Sequence, residues 1–122
     1  QKYRTRLYEQ LKRAKVMMVT CPTAWIDTRR SNMISLFHNS MTPVDEMIPA
    51  GVTVALGTDN VCDAMVPWCS GDMWHELQLL ATGCRFDDFD NLVKIASVNG
   101  RKVLGLDPYD AETDPVTDAK KE

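Results

Sequence analysis

The apolar positions of this 122-residue chain fall into helix-like stripes separated by short solid runs. Tyr3, Leu7, Leu11 and Ala14 share one stripe, and Glu9 stands four residues before Arg13, which predicts a helix from Tyr3 to Ala14. Val16 to Thr20 is a short apolar run ended by Cys21-Pro22, the mark of a strand buried on both faces. Residues 21 to 42 have no steady period and read as a long irregular connection carrying Trp25, Asp27, Arg29, Arg30 and His38. A connection of that length is uncommon in a compact domain unless it has a function. Thr42-Pro43-Val44-Asp45-Glu46 predicts a helix start, with Thr42 as cap and Pro43 in the first turn. Pro49 and Gly51 keep that helix short. Val52 to Leu56 is a second buried strand, followed by an irregular stretch, 58 to 71, with Asp59, Asn60, Asp63, Pro67 and Trp68. Asp72 then caps a helix to Thr82, with Met73, Leu77, Leu80 and Ala81 on one face. Asp87 and Asp88 open a last helix to Val98, striped by Phe89, Leu92, Val93 and Ala96, and Gly100 closes it. Residues 107 to 122 hold two prolines and many charges, so a poorly ordered polar tail is expected.

Alternating helices and strands imply a parallel sheet with right-handed crossovers. Two strands alone do not make a stable sheet covered on both faces. The pattern therefore reads as part of an α/β sheet or barrel, lacking strands with which it should pair. No internal repeat accompanies the alternation.

Composition narrows the partners. Hydrophobic residues make up 44% and charged residues 25%, ordinary for a globular chain of one domain. The net charge of -3 offers nothing to nucleic acid or an anionic membrane. No apolar run approaches the roughly 20 residues that span a bilayer, and no secretory leader is read, so a cytoplasmic origin is expected. Cys21, Cys62, Cys69 and Cys84 form no C-x-x-C pair, which argues for reduced thiols rather than structural zinc or a disulfide framework. Gln1 in place of an initiator methionine, together with the polar end, suggests a piece cut from a longer protein.

Both irregular stretches follow strands, at the edge where α/β proteins place their sites. Asp59 follows Val52–Leu56 closely. A carboxylate there can bind a metal or take a proton from water, or it can open a turn with Asn60. Trp25 and Asp27, after the first strand, can stack on and hydrogen-bond a flat heterocycle, or anchor a loop through the indole. Trp68 has the same two readings. His38 reads as a substrate contact or a surface histidine, and His75, beside Trp74 on a helix, as packing or surface.

The string F-H-N-S-M-T-P-V-D-E-M-I-P-A-G-V-T-V-A-L-G-T-D-N-V-C-D resembles the last barrel-strand region of the amidohydrolase superfamily, in its cytosine deaminase-like branch with the related N-alkyl-triazine amidohydrolases. Y-R-T-R-L-Y-E-Q-L-K-R-A-K-V-M-M-V-T-C-P is similar to that family's sixth helix and seventh strand, and N-L-V-K-I-A-S-V-N-G-R-K-V-L-G-L to the helix before its small β-sandwich. The resemblance covers residues 3 to 106. It implies a C-terminal fragment of a (β/α)8 TIM barrel, strands seven and eight with their helices. It implies that Asp59 binds a catalytic Zn²⁺ or Fe²⁺ ion and shuttles the proton of the attacking water. It implies that Asn60 contacts substrate, and that residues 21 to 30 and 61 to 69 wall the pocket, which leaves Trp25 and Asp27 on that wall; His38, outside both stretches, stays a candidate substrate contact by its place in the loop after the first strand. The substrate would be a small cytosine-like or triazine-like heterocycle, hydrolysed with loss of ammonia or an amine.

The sequence also departs from the pattern. The H-x-H of strand one, the histidines of strands five and six and their companion glutamate are absent. Met65 stands where cytosine deaminases tend to carry an aromatic. A catalytic metal normally needs about three protein ligands, so the chain alone is expected to be inactive and to hold no metal tightly. Its expected partners are the missing N-terminal part of the barrel or another copy of itself. The alternatives are a truncated, non-catalytic α/β protein that self-associates through its strand edges and an unrelated small binding module.

Overall fold

The computed structural model describes residues 2–27 and 41–106. His38, Arg29, Arg30 and the polar tail lie outside them.

Helix α1 (Lys2–Arg13) forms where the stripe predicts, but it turns a different residue inward. Tyr8 is the buried one, whereas Tyr3 is 81% exposed. The reason is polar: the Tyr8 hydroxyl donates to Glu46 Oε2 at 3.0 Å, and Arg4 pairs with Glu46 Oε1 at 2.9 Å. Burial, then the Glu46 carboxylate, pushes the Tyr8 phenol up.

Strands β1 (Met18–Thr20) and β2 (Val54–Leu56) form a two-stranded parallel sheet, with Met18 opposite Val54 and Thr20 opposite Leu56. Both are shorter than their apolar runs. The sheet is extended at each end by Met18 N–H donating to Thr53 O and Gly57 N–H donating to Thr20 O. Strand β2 is buried throughout, but β1 is not buried on both faces as expected: Val19 is 47% exposed. Helices pack against β2, while β1 has β2 as its main neighbour.

The connection after β1 is not wholly irregular. Pro22 to Asp27 forms helix α2, started by a proline whose missing N–H costs nothing in a first turn. Helix α3 (Val44–Met47) is preceded by Pro43 with no side-chain cap. Thr42 therefore does not cap; its hydroxyl accepts from the Thr20 hydroxyl at 2.8 Å and ties α3 to β1.

Helix α4 (Met73–Cys84) is capped as predicted, Asp72 accepting from Trp74 N–H at 2.8 Å. Helix α5 (Phe89–Ala96) is capped by Asp88, which accepts from Asn91 N–H at 3.1 Å. The chain then breaks at Ser97 and restarts as α6 (Val98–Val103), so Gly100 lies inside a helix and closes none. The α5 stripe also differs from expectation. Leu92 and Ile95 are buried, while Phe89 and Val93 face solvent. From α6, Asn99 donates to Val54 O at 2.8 Å, satisfying a strand carbonyl.

The main core joins Tyr8, Val44, Met47, Val52, Val54, Leu56, Leu80 and Ile95. A smaller one, Ala24, Val66 and Cys69, lies under the loop after β2. All four cysteines are free in the structure. Among the described residues no helix is long and apolar enough to cross a membrane.

Candidate functional site

Because β1 and β2 are parallel, the segments that follow them leave the sheet at one edge. Asp59 stands there, three residues past Leu56, with a left-handed backbone (φ 60°) that aspartate tolerates better than most side chains. Its carboxylate is exposed, and Oδ1 accepts from the Asn60 N–H at 2.9 Å. That bond reaches the very next residue, not the one two further on that an Asx turn needs, and the side chain still faces solvent.

Asn60 is less open to substrate than its position suggests. Its amide nitrogen donates to Asp63 Oδ2. The other Asp63 oxygen accepts from Met65 N–H at 2.8 Å and Val66 N–H at 2.7 Å. Those two N–H groups, Val66 first, hold the Asp63 carboxyl below its ordinary value. Cys62 N–H donates to Cys69 O at 2.9 Å and closes the loop. Met65 and Trp68 are exposed on it.

Trp25 lies on α2 at the same sheet edge, 54% exposed, and Asp27 is the last residue of that helix. The structure thus brings Asp59, Asn60, Trp25 and Asp27 to one edge, while His38 lies outside the described residues. His75 is exposed on α4.

Three further residues, not singled out by the sequence, support this edge. Glu76 on α4 is 1% exposed. Its Oε2 accepts from the Thr23 N–H at 2.8 Å, and its Oε1 lies 3.6 Å from the Cys69 thiol. A buried carboxylate is tolerable only with such donors. Cys69 is fully buried, and its thiol also lies 3.4 Å from Thr58 O. Burial pushes the Cys69 thiol up, as it does Cys21, where the Asp59 and Glu76 carboxylates add to the effect. One sequence signal was available: Glu76 sits three residues after Met73 and four before Leu80, an acid on the apolar stripe of α4.

Among the described residues no group of three or more His, Cys, Asp or Glu side chains is arranged to hold a metal ion. Asp63 is occupied with its own loop, and Glu76 is buried beneath the edge. These residues do not fit the ion that the amidohydrolase resemblance implies, since Asp59 offers only one of the required ligands.

No family model matches the chain. A crystal structure of 5-methylcytosine deaminase from Klebsiella pneumoniae, liganded with 5-fluorocytosine, superposes with a TM-score of 0.70 and 22% identity. The match covers 85% of this chain and 26% of the deaminase, so the chain has the fold of about a quarter of that enzyme. An uncharacterized protein of Haemophilus influenzae is 67% identical over 43 residues, which are 35% of this chain and 96% of that protein. The chain belongs to the same family as that protein, a relative that brings no activity with it. A second uncharacterized Haemophilus influenzae protein is 55% identical over 47 residues, or 38% of this chain, and the match spans only 17% of its length.

Proposed function

We propose that this chain is the C-terminal segment of a metal-dependent amidohydrolase barrel, strands seven and eight with their helices, acting on a nitrogen heterocycle of the cytosine or triazine kind. The observation that carries the reading is the shared fold over 85% of the chain with a 5-methylcytosine deaminase, with Asp59 at the carboxyl end of a parallel strand. Sheet edges of this kind are where α/β enzymes gather their reacting groups.

In this reading Asp59 has two tasks. In a complete barrel it would give one oxygen to a divalent metal, Zn²⁺ or Fe²⁺, the remaining ligands having to come from residues other than those described. It also accepts a proton from the attacking water and returns it to the leaving nitrogen. When bound, the ion supplies Lewis acidity at the ring carbon that loses ammonia or an amine. Asn60, held by Asp63, offers its amide oxygen to a ring N–H. Trp25 gives a flat apolar surface for the ring, and Asp27 and His38 are its polar neighbours. The segment by itself is inactive, and it works when associated with the rest of the barrel.

The test uses the longest gene product that contains the chain. Ammonia release from cytosine, 5-methylcytosine and a triazine is followed with Zn²⁺ or Fe²⁺ supplied. Asp59→Ala is expected to lower kcat by ~10³-fold or more. An Asp59→Ala protein as active as the parent, or a parent inert toward the whole panel, overturns the reading.

A second reading rests on a different observation. Val19, Trp25 and Ile26 are exposed beside a parallel sheet that has two strands among the described residues. Such a face favours pairing with another copy, giving a non-catalytic assembly. Sedimentation of the 122-residue chain separates the two: a concentration-independent monomer removes the self-associating form.

A further inference from the structure

The peptide bond between Thr58 and Asp59 is held at its carbonyl end by sulfur. Its carbonyl, on Thr58, lies 3.4 Å from the Cys69 thiol. Cys21 follows β1 directly, and it sits close beside Gly57: a methyl group on Gly57 would stand 3.2 Å from Cys21 Sγ and 2.8 Å from Val19 Cγ1. The bare glycine therefore lets β1 and its cysteine approach this peptide, and a side chain there would force them apart. Cys69 closes the loop after β2, is fully exposed to nothing but protein, and is met from behind by Glu76 Oε1 at 3.6 Å. Glu76 also fixes the first turn of α2 through the Thr23 N–H. One buried carboxylate thus joins α4, α2 and the loop around the residue that precedes Asp59.

We propose that Cys21, Cys69 and Glu76 are positioning residues, a clamp that sets the plane of the 58–59 peptide and thereby holds Asp59 in its left-handed conformation at the sheet edge. The purpose assigned to the clamp rests on the reading of Asp59 as the reacting carboxylate. A left-handed non-glycine residue persists only where its surroundings over-determine it. The Asn60 N–H bond to Asp59 Oδ1 then fixes the side chain relative to that backbone. A peptide free to rotate would swing the carboxylate away from a fixed reaction centre, and small displacements of a reacting group lower rates steeply.

Amide hydrogen exchange on the full chain reads the clamp without any substrate. In Cys69→Ala and Cys21→Ala, the Asp59 amide is expected to exchange about tenfold faster. The Gly57 amide, which donates to Thr20 O, reports the sheet itself and should keep its rate. An unchanged Asp59 amide in both variants overturns the proposal. If either variant also loosens Gly57, the near-isosteric Cys69→Ser and Glu76→Gln decide: a rise confined to Asp59 supports the clamp, and none refutes it. In the complete enzyme, Cys69→Ala should lower kcat ~10-fold with KM nearly unchanged, and Cys69→Ser should restore part of it. Exchange and turnover fail separately. An inert enzyme removes the deaminase reading and leaves the exchange result standing, while an unaltered Asp59 amide beside an Asp59→Ala loss of activity removes only the clamp.

Discussion

The two cores of this molecule are built on different principles. The larger one, from Tyr8 to Ile95, is almost entirely aliphatic and packs helices onto β2. The smaller one, Ala24, Val66 and Cys69, lies under the Asp59 edge and adjoins the buried polar pair Thr23 and Glu76, whose carboxylate accepts from the Thr23 N–H and reaches the Cys69 thiol. An aliphatic core is stabilised by area removed from water and is tolerant of direction. A polar core contributes little net stability, since each buried group must be matched by a donor or acceptor, but its bonds fix orientation. The larger core therefore holds the fold together, and the smaller one aims the chain at its sheet edge.

That contrast can be broken in three ways beyond the tests of Asp59 and its clamp. The largest expected effect on stability is in the aliphatic half. Leu80 is fully buried between α4 and β2, and Leu80→Ala should cost about 2–5 kcal/mol by denaturant titration. A cost below ~1 kcal/mol would mean that the larger core is not what stabilises the chain. A smaller effect of opposite sign is expected in the polar half. The Thr23 hydroxyl is buried and has no hydrogen-bond partner among the described residues. Thr23→Val replaces it with a methyl group of the same shape and should stabilise by about 1 kcal/mol. A destabilised Thr23→Val would show that the hydroxyl is matched in solution.

The smallest effect is one of pH. Burial raises the folded-state thiols of Cys69 and Cys21 above the ordinary value of 9.0. A raised folded value contributes stability that is fully present below pH 9.0 and is lost as the pH climbs from there through the folded value. Alkaline unfolding should therefore begin above that point, and Cys69→Ala should flatten it. Asp63 has the reverse sign. Its carboxyl is lowered below 3.8, so its contribution is present above that pH and fades as acid brings the solution through the folded value. Circular dichroism across both ranges, with Asp63→Asn as the acid-side control, checks the two directions.

Local chemistry explains which sequence expectations the structure meets. The caps at Asp72 and Asp88 need only a carboxylate and an N–H two or three residues away, so a few letters suffice to locate them. The two strands are legible as apolar runs, and their parallel pairing follows from the helices between them. Asp59 is legible as the acid that ends the second run. Expectations fail where a partner distant in sequence decides. Tyr8 turns inward because Glu46, 38 residues away, accepts its hydroxyl. Thr42 leaves its helix for Thr20, 22 residues back. The α5 stripe is shifted because the helix turns Ile95 into the core with Val54 and Leu56 of β2 and leaves Phe89 in solvent. Helix α2 is hidden within an aperiodic stretch because it is only six residues long, too short for a period to show.

By itself, then, the sequence determined the alternation of helices and strands, the two acidic caps and the place of Asp59 just beyond a buried strand. These depend on spacing within a few residues, where backbone geometry leaves little choice. Only the tertiary structure decided what surrounds Asp59. Its setting is made from Cys21, Thr58, Cys69 and Glu76, and such a group acquires its shape when α4 and the loop close over α2. Hydrogen bonds across 53 residues of chain, such as Glu76 to Thr23, leave no periodic trace, because nothing in a one-dimensional pattern records which distant donor a buried carboxylate will meet.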